Sequence, residues 1–264
     1  MGSMETPPEA TGGTVGKALH VLDMVAEKMR PVRFNDVLAN SPYPKATLYR
    51  LLQTLTTQGL LSYDEERQTY APGMRLVRLA HSAWRQSSLA PVARPFLDAL
   101  SQEVGETIHL AQIDHGQVLY VDKRNAAQPV EMFSQAGKVG PGYCTGVGKA
   151  MMAFLKPADQ EQAIQNQSFF RHTEHTLTNA DALRSEFAEI REEGVAYDRE
   201  EHEPGIICIA APILSSNSRV IGALSITTTT HKYSLEALNE LRPLLLNAAN
   251  EIAQAAENWQ FPSS

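Results

Sequence analysis

The spacing of hydrophobic residues predicts that the chain begins with helices. Between residues 14 and 30, apolar residues recur every three or four positions, which is typical of an amphipathic helix whose inward stripe holds Val15, Leu19, Leu22, Val25, Ala26 and Met29. Pro31 ends this helix, and a shorter one is expected over 35–39. A third helix is predicted from Lys45 to a glycine cap at Gly59, with inward-facing Leu48, Leu51, Leu52 and Leu55.

An alternating segment follows the third helix. Residues 60–73, LLSYDEERQTYAPG, alternate hydrophobic and polar positions around a charged four-residue tip, which predicts a two-stranded hairpin. Three helices followed by such a hairpin indicate a winged helix-turn-helix over 14–73. The next apolar stripe, in residues 74–90, predicts a linker helix that Pro91 breaks.

From residue 91 onward, strands alternate with helices. A helix is predicted to about Val104, followed by a strand pair in 106–124, a strand in 129–137, helices near 148–155, 159–166 and 180–193, strands over 194–198, 206–214 and 220–230, and an apolar helix from Leu235 to about Trp259. This order favours an α+β domain over 91–264, in which helices cover a mostly antiparallel sheet.

Composition narrows the classes of protein that fit this layout. A length of 264 residues suits two domains, and a hydrophobic content of 43% is that of a globular protein. No apolar run approaches the ~18 residues of a membrane span, and residues 1–13 resemble a disordered lead or tag rather than a secretion signal. Cys144 and Cys208 are too few for a disulfide scaffold. We therefore expect a cytoplasmic protein with no membrane partner.

Charge is unevenly distributed along the chain. The formal charge of −7 at first argues against a partner as negative as DNA. Between residues 14 and 60, however, six basic and three acidic side chains give +3, whereas residues 61–264 carry 17 basic and 25 acidic side chains, a net of −8. The predicted helix-turn-helix is therefore positive, and its binding to DNA should weaken as salt is added.

The N-terminal end of the third helix is the expected DNA-reading element, because that end brings side chains to base edges in the major groove. Its polar positions are Lys45, Thr47, Tyr49 and Arg50. Arg50 could read guanine or grip a phosphate, while Lys45 and Thr47 are better placed for backbone contacts. The alternative is a scaffolding or dimerisation module whose basic residues only solvate a helix face.

Several motifs resemble those of the IclR family of bacterial transcriptional regulators. The first half contributes PKATLYRLL followed by TLTTQGLL, and the second contributes ETIHLA, YCTGVGKAMMAFL, HTLT and EEHEPGIICIAAPI in the family's order. The resemblance extends from about residue 14 to 256, and two segments, ETIHL and Tyr-Cys-Thr, look more like the sugar-acid regulators of the KdgR type. One departure is Pro42, where relatives often have glycine before the recognition helix.

This resemblance implies a winged helix-turn-helix joined by a linker helix to a GAF-like effector domain, assembled as dimers or dimers of dimers on palindromic double-stranded operator DNA. It implies a repressor of a catabolic operon, relieved by a small carboxylate or sugar acid. The residues that match the family's effector pocket are Asp198, Cys208, Ser225 and Thr227. Asp198 would accept hydrogen bonds from ligand hydroxyls, and the side-chain hydroxyls of Ser225 and Thr227 would hydrogen-bond a carbonyl or carboxylate of the ligand. The Cys208 side chain would form part of the pocket wall.

The residues before the sixth predicted helix point to the same pocket. Segment 145–148, Thr-Gly-Val-Gly, leaves main-chain N–H groups open to a carboxylate at the positive end of a helix dipole, with contacts expected from Gly146 and Val147. An apolar side would come from Met132, Tyr143 and Met151. Other interpretations stay open, since glycines also permit close packing and hydroxyl residues are ordinary in strands.

Enzymatic interpretations fit less well. The string GYCTGVGKA resembles a phosphate-binding loop, but Tyr143 replaces its first glycine and Ala150 its magnesium-binding Ser or Thr. Lys149 is then expected to be a solvated or structurally paired residue. The histidines at 172, 175 and 202 are expected to be isolated surface residues, and the glutamates at 200, 201 and 203 to be solvated. We expect no catalytic residue, cofactor or metal. The alternatives are an enzyme that uses the pocket, with the helical domain for dimerisation, or a ligand sensor that binds other proteins.

Overall fold

The computed structural model describes residues 13–87, 89–128 and 132–257, with side chains except at 84–87. Most of the expected lead, residues 1–12, and the expected end of the last helix at Trp259 lie outside these ranges. The chain divides into two compact units, Met1–Gln86 and Ser87–Ser264.

The first unit has three helices followed by a hairpin. Its elements are α1 (Gly13–Ala26), β1 (Val32–Arg33), α2 (Phe34–Leu38), α3 (Lys45–Thr57), β2 (Leu61–Asp64), β3 (Thr69–Pro72) and α4 (Met74–Ser87). Gly59 follows α3 with φ +71°, the left-handed conformation that favours glycine at a helix end. Strand β1, which the sequence did not indicate, pairs with β3, so the antiparallel sheet has the order β1-β3-β2.

The core of this unit only partly follows the hydrophobic stripe of α1. The four leucines of α3 are buried, and the α1 residues that meet them are Val21, Leu22, Met24 and Val25. Four predicted core residues are instead exposed, because α1 packs through the part that holds Val21–Val25 and ends at Ala26, before the last of them: Val15 (71%), Leu19 (50%), Ala26 and Met29 (92%). The predicted length and register of this stripe were therefore wrong at both ends.

The second unit is an antiparallel sheet covered by helices. Its elements are α5 (Ala90–Val104), β4 (Thr107–Asp114), β5 (Gln117–Arg124), β6 (Val139–Gly140), α6 (Gly146–Ala153), α7 (Pro157–Gln165), α8 (Ala180–Glu193), β7 (Ala196–Arg199), β8 (Ile206–Leu214), β9 (Val220–Thr229), α9 (Leu235–Asn239) and α10 (Arg242–Ala255). The strand order is β6-β5-β4-β9-β8-β7. Helix α6 packs on β8 and β9 and against α8, while α10 packs on β8 and against α5.

Two predicted elements of this unit differ in the structure. The strand expected over 129–137 is absent from 132–137, where the chain turns through Gly137 at φ +86°. The two-residue β6 that follows pairs with β5. The closing helix is interrupted between α9 and α10, because Pro243 has no N–H to bond the carbonyl of Asn239. Within the described ranges, no helix has both the length and the apolar character that crossing a membrane requires.

Candidate functional site

The exposed face of α3 carries most of the side chains predicted to meet DNA. Lys45, Tyr49 and Arg50 are exposed, and Thr47 is half-buried. Pro42 is exposed in the turn before this helix. The predicted residues therefore lie at the accessible N-terminal half of α3, as a helix that reads base edges requires.

Two contacts orient Tyr49 on this face. Its ring meets Phe34 of α2 edge-on, with 6.1 Å between centroids, and its hydroxyl accepts a hydrogen bond from Gln53 Nε2 at 3.0 Å. Gln53 is exposed, one turn beyond Tyr49, and is missing from the sequence prediction. The spacing of four residues could have indicated it, and its amide is of the kind that bonds adenine.

A small cavity in the second unit lies between α6 and the sheet. Its volume is about 30 Å³. Residues from β4, β5, β7, β8, β9, the start of α6 and two connecting segments line it: His109, Tyr120, Met132, Phe133, Ser134, Thr145, Gly146, Val147, Asp198, His202, Glu203, Ile206, Cys208, Ser225 and Thr227.

All six residues predicted to contact an effector line this one cavity, namely Gly146, Val147, Asp198, Cys208, Ser225 and Thr227. The pairing of neighbouring strands explains why, because Asp198 lies opposite Cys208, and Cys208 lies opposite Thr227. Met132 also lines the cavity. Tyr143 and Met151 lie instead in the hydrophobic core beside α6 and α8.

Close packing fixes the glycine that begins α6. A Cβ atom at Gly146 would lie 2.4 Å from Cys208 Sγ, much closer than atoms in contact. Thr145 precedes it as the N-cap residue, but its hydroxyl donates to the carbonyl of Pro141 at 2.8 Å and does not cap the helix. The first turn of α6 therefore approaches β8 directly, and the main-chain N–H of Gly146 lies against the Cys208 thiol.

Gly146→Ala is expected to destabilise the second unit by about 1–3 kcal/mol, because the added methyl overpacks the contact with Cys208. Calorimetric melting of the full chain measures this loss. Gly16→Ala is the matched control, since a Cβ at Gly16 of α1 meets no atom within 4 Å. A Gly146→Ala melting profile equal to that of Gly16→Ala would contradict the close packing.

His109 of β4 organises the hydroxyl groups of the cavity. Its Nε2 lies 2.7 Å from Ser134 Oγ, and its Nδ1 lies 3.1 Å from Thr227 Oγ1 and 3.4 Å from Ser225 Oγ. Burial, assisted by the charge of Lys123, lowers the pKa of His109 to about 3, so the ring is neutral at pH 7. Sequence reasoning missed His109, and its place between Ile108 and Leu110 in a strand was the available signal.

Asp198 presents a carboxyl group in the cavity wall. It is 6% exposed, and its Oδ1 accepts a hydrogen bond from the main-chain N–H of Glu201 at 2.7 Å. Burial, with added repulsion from Glu201, raises the pKa of Asp198 to about 7. The carboxyl therefore changes protonation near neutral pH, unlike an exposed aspartate.

Behind Asp198 lies a buried cluster of charged side chains. Lys149 of α6 is completely buried and donates to Glu201 and, at 2.9 Å, to Glu186 of α8, which also accepts from Arg199 at 2.8 Å. Burial lowers the pKa of Lys149, but the two carboxylates outweigh this and raise it above its usual value. Of the two interpretations of Lys149, structural pairing is thus correct, and the expectation of solvated glutamates is wrong for Glu201.

The segment after β7 also supplies Glu203 and His202 to the cavity. The carboxylate of Glu203 accepts the main-chain N–H of Phe133 at 3.1 Å and thereby holds the opposite wall. His202 lies 5.0 Å from the Phe133 ring and 4.8 Å from the His172 ring, so it is not an isolated surface histidine. Within the described residues, no group of three or more His, Cys, Asp or Glu has the arrangement of a metal site.

Comparisons with known proteins agree with these features. Residues 14–65 match the model of the IclR helix-turn-helix domain, and residues 81–254 match that of the bacterial transcriptional regulator IclR C-terminal domain. XynR of Escherichia coli, an HTH-type transcriptional regulator, is 31% identical over 92% of this chain and 96% of its own. KdgR of the same organism, also an HTH-type transcriptional regulator, is 29% identical over 98% of both chains.

A solved structure shows the same fold. An IclR homologue from Microbacterium hydrocarbonoxydans, complexed with 4-hydroxybenzoate, superposes with a TM-score of 0.77 at 24% identity, covering 93% of this chain and 100% of that one. The matched proteins are DNA-binding transcriptional regulators rather than enzymes. This chain belongs to the IclR family of bacterial transcriptional regulators, proteins that bind DNA and respond to small molecules.

Proposed function

We propose that this regulator acts in the cytoplasm as a repressor of a catabolic operon and that a small carboxylate or sugar acid releases it from its operator. The cavity beside α6 is the observation that carries the proposal. It combines the N-terminal end of α6 with the hydroxyls of Ser225 and Thr227 and the carboxyl of Asp198. Such a set binds a ligand that has both a carboxylate and a further polar group.

Part of the cavity wall lies outside regular secondary structure, which supports a two-state response. Residues 132–134 and 202–203 line the cavity and belong to neither a strand nor a helix. A ligand that binds one arrangement of this wall better shifts the protein towards it, and α4 joins the two units along the chain.

The DNA partner is proposed to be palindromic double-stranded DNA, bound by a dimer or a dimer of dimers. The exposed face of α3 supports this, because one helix reads only one half-site. Lys45, Thr47, Tyr49 and Arg50 are the proposed contacts, with Gln53 as a fifth. A two-fold symmetric dimer presents two such helices to the two halves of a palindrome.

The test begins with a thermal-shift screen of the full chain against pyruvate, D-gluconate, D-galacturonate and 4-hydroxybenzoate. A bound acid at a hundred times its Kd should stabilise the protein by about 2.7 kcal/mol. The same acid is expected to release the protein from the DNA flanking its own gene in a gel shift. Asp198→Ala should lose both responses, because it removes a polar group of the cavity wall. The variant should still bind the DNA in the gel shift.

Asp181→Ala is the matched control for this experiment. Its side chain is 94% exposed in α8, outside the cavity lining, so both responses should persist. If none of the four acids stabilises the protein or releases the DNA, the proposed carboxylate effector is wrong. If an acid strengthens the gel shift, the protein is not a repressor that the acid relieves.

A further inference from the structure

The cavity lining is poor in positive charge. Among its described residues are two carboxyl groups, Asp198 and Glu203, and no Lys or Arg. The buried cation behind it, Lys149, already donates to Glu201 and Glu186. An incoming anion would therefore find its attraction in the main-chain N–H groups of α6 and in neutral hydroxyl and imidazole groups.

A carboxylate ligand meets a specific problem in this cavity. Asp198 is almost fully buried and shares the lining with Gly146 and Val147, where the N–H groups of α6 begin. Two ionised carboxylates close together in a buried site repel each other strongly, and such pairs are stable when they share one proton. Asp198 therefore opposes an anionic ligand when ionised and favours it when protonated.

We propose that an anionic carboxylate effector enters this cavity together with one proton, which Asp198 takes from solvent and donates as an O–H hydrogen bond to the effector. This inference rests on the proposed function, because it concerns the same cavity and a carboxylate ligand. The step is a protonation of the Asp198 carboxylate by water or buffer and breaks no other covalent bond. Operator release would then depend on both effector concentration and pH.

Several titratable or charged groups surround Asp198, which is the expected site of proton uptake. They are Lys149 of α6, Cys144 before α6, His109 of β4, Tyr120 of β5, Cys208 of β8, and Glu201, His202 and Glu203 after β7. Burial raises the pKa of Cys208 to about 12 and also raises the pKa of Cys144 and of Tyr120, so these three stay neutral. His109 is neutral because its pKa is about 3. The pKa of Asp198, about 7, lies in the physiological range.

Titration calorimetry of the full chain tests the proposal. The probes are the acids of the screen that bind, each compared with its neutral primary amide, for example 4-hydroxybenzoate with 4-hydroxybenzamide. Titrations in buffers of different ionisation heat count the protons taken up at about pH 6 and about pH 8. We expect close to one proton per acid at the higher pH, close to none at the lower pH, and none for the amide.

Affinity gives a second measurement. Above about pH 7.5 the Kd of the acid should rise about tenfold per pH unit, and below about pH 6 it should be constant, because Asp198 is then already protonated. Asp198→Asn replaces the protonated carboxyl by a permanent neutral donor, so it should lose the slope and the proton uptake. Circular dichroism tests whether this variant is folded. The proton uptake of the wild-type protein, measured with acid and with amide, does not depend on the variant.

The outcomes separate failure of the proton-coupled step from failure of the proposed effector class. Wild-type binding of an acid with no proton uptake at about pH 8 and no pH dependence of Kd would overturn the proton-coupled step and leave the effector class intact. A folded Asp198→Asn protein that keeps the slope would assign the proton to another group and also overturn it. Failure of all four acids to bind at either pH would overturn the proposed effector class, and this inference with it.

Discussion

Lys149→Met is expected to destabilise the second unit by about 3–5 kcal/mol, because it removes one member of a buried ion cluster. Glu201 would keep its charge in the interior without the ammonium group to which it now bonds, and its Oε2 has no hydrogen-bond partner among the described residues. Methionine keeps most of the side-chain length, so lost packing contributes little. The measurement is the melting temperature of the full chain by calorimetry, which should fall by about 6–20 °C.

Two further variants isolate the cause of this loss. Lys149→Met combined with Glu201→Gln should recover part of the stability, because the second change removes the uncompensated charge. Arg184→Met is the surface control, since Arg184 bonds Asp181 and Glu161 in the solvent and its loss should barely move the melting temperature. If Lys149→Met has the same melting temperature as Arg184→Met, the cluster does not stabilise the fold.

Arg50→Ala is expected to weaken operator binding about 5- to 150-fold per recognition helix, the range for losing one bidentate contact to a base. Arg50 is exposed on α3 beside Tyr49, where a major-groove helix carries its contacts. Fluorescence anisotropy with labelled DNA from the flank of its own gene measures the change. Arg184→Ala removes an equal charge from the second unit, so it should bind this DNA like the wild-type protein.

Arg50→Lys decides which contact Arg50 makes. Lysine keeps the charge but not the planar pair of donors, so it should restore binding if Arg50 grips a phosphate and leave it weak if Arg50 reads guanine. A steep salt dependence retained by Arg50→Lys and reduced in Arg50→Ala would indicate the phosphate contact. Wild-type affinity in Arg50→Ala would exclude both roles.

Local pattern was sufficient for most of the architecture. Leu48, Leu51, Leu52 and Leu55 repeat at helical spacing and face a partner along their full length, so their burial followed from the sequence. The first helix has the same kind of stripe, but Val15 and Leu19 extend beyond the part that packs on α3. A stripe indicates which face is apolar, whereas its buried length depends on a partner that the pattern does not show.

The cavity was predictable to a different degree. The four strand residues were assigned through a family resemblance, and strand pairing brings them together. Gly146 and Val147 were assigned from the small residues that begin a helix, and α6 places them on the same strands. His109 was missed because a single histidine between apolar strand residues, here Ile108 and Leu110, is usually a core residue. The pairing of Lys149 was left open because its partners lie 37 and 52 residues further along the chain, and no local pattern links residues so far apart.

The approach of Gly146 to Cys208 also limits how ligand preference diversifies during evolution. Neither position accepts a larger side chain unless the other retreats, since only 2.4 Å separates the sulfur from the place of a Cβ at residue 146. Room for ligands of different size must therefore arise where the lining is not clamped between helix and strand, at residues 132–134 and at Ile206. Substitutions at these sites would let related proteins bind different effectors while the contact between α6 and β8 stays the same.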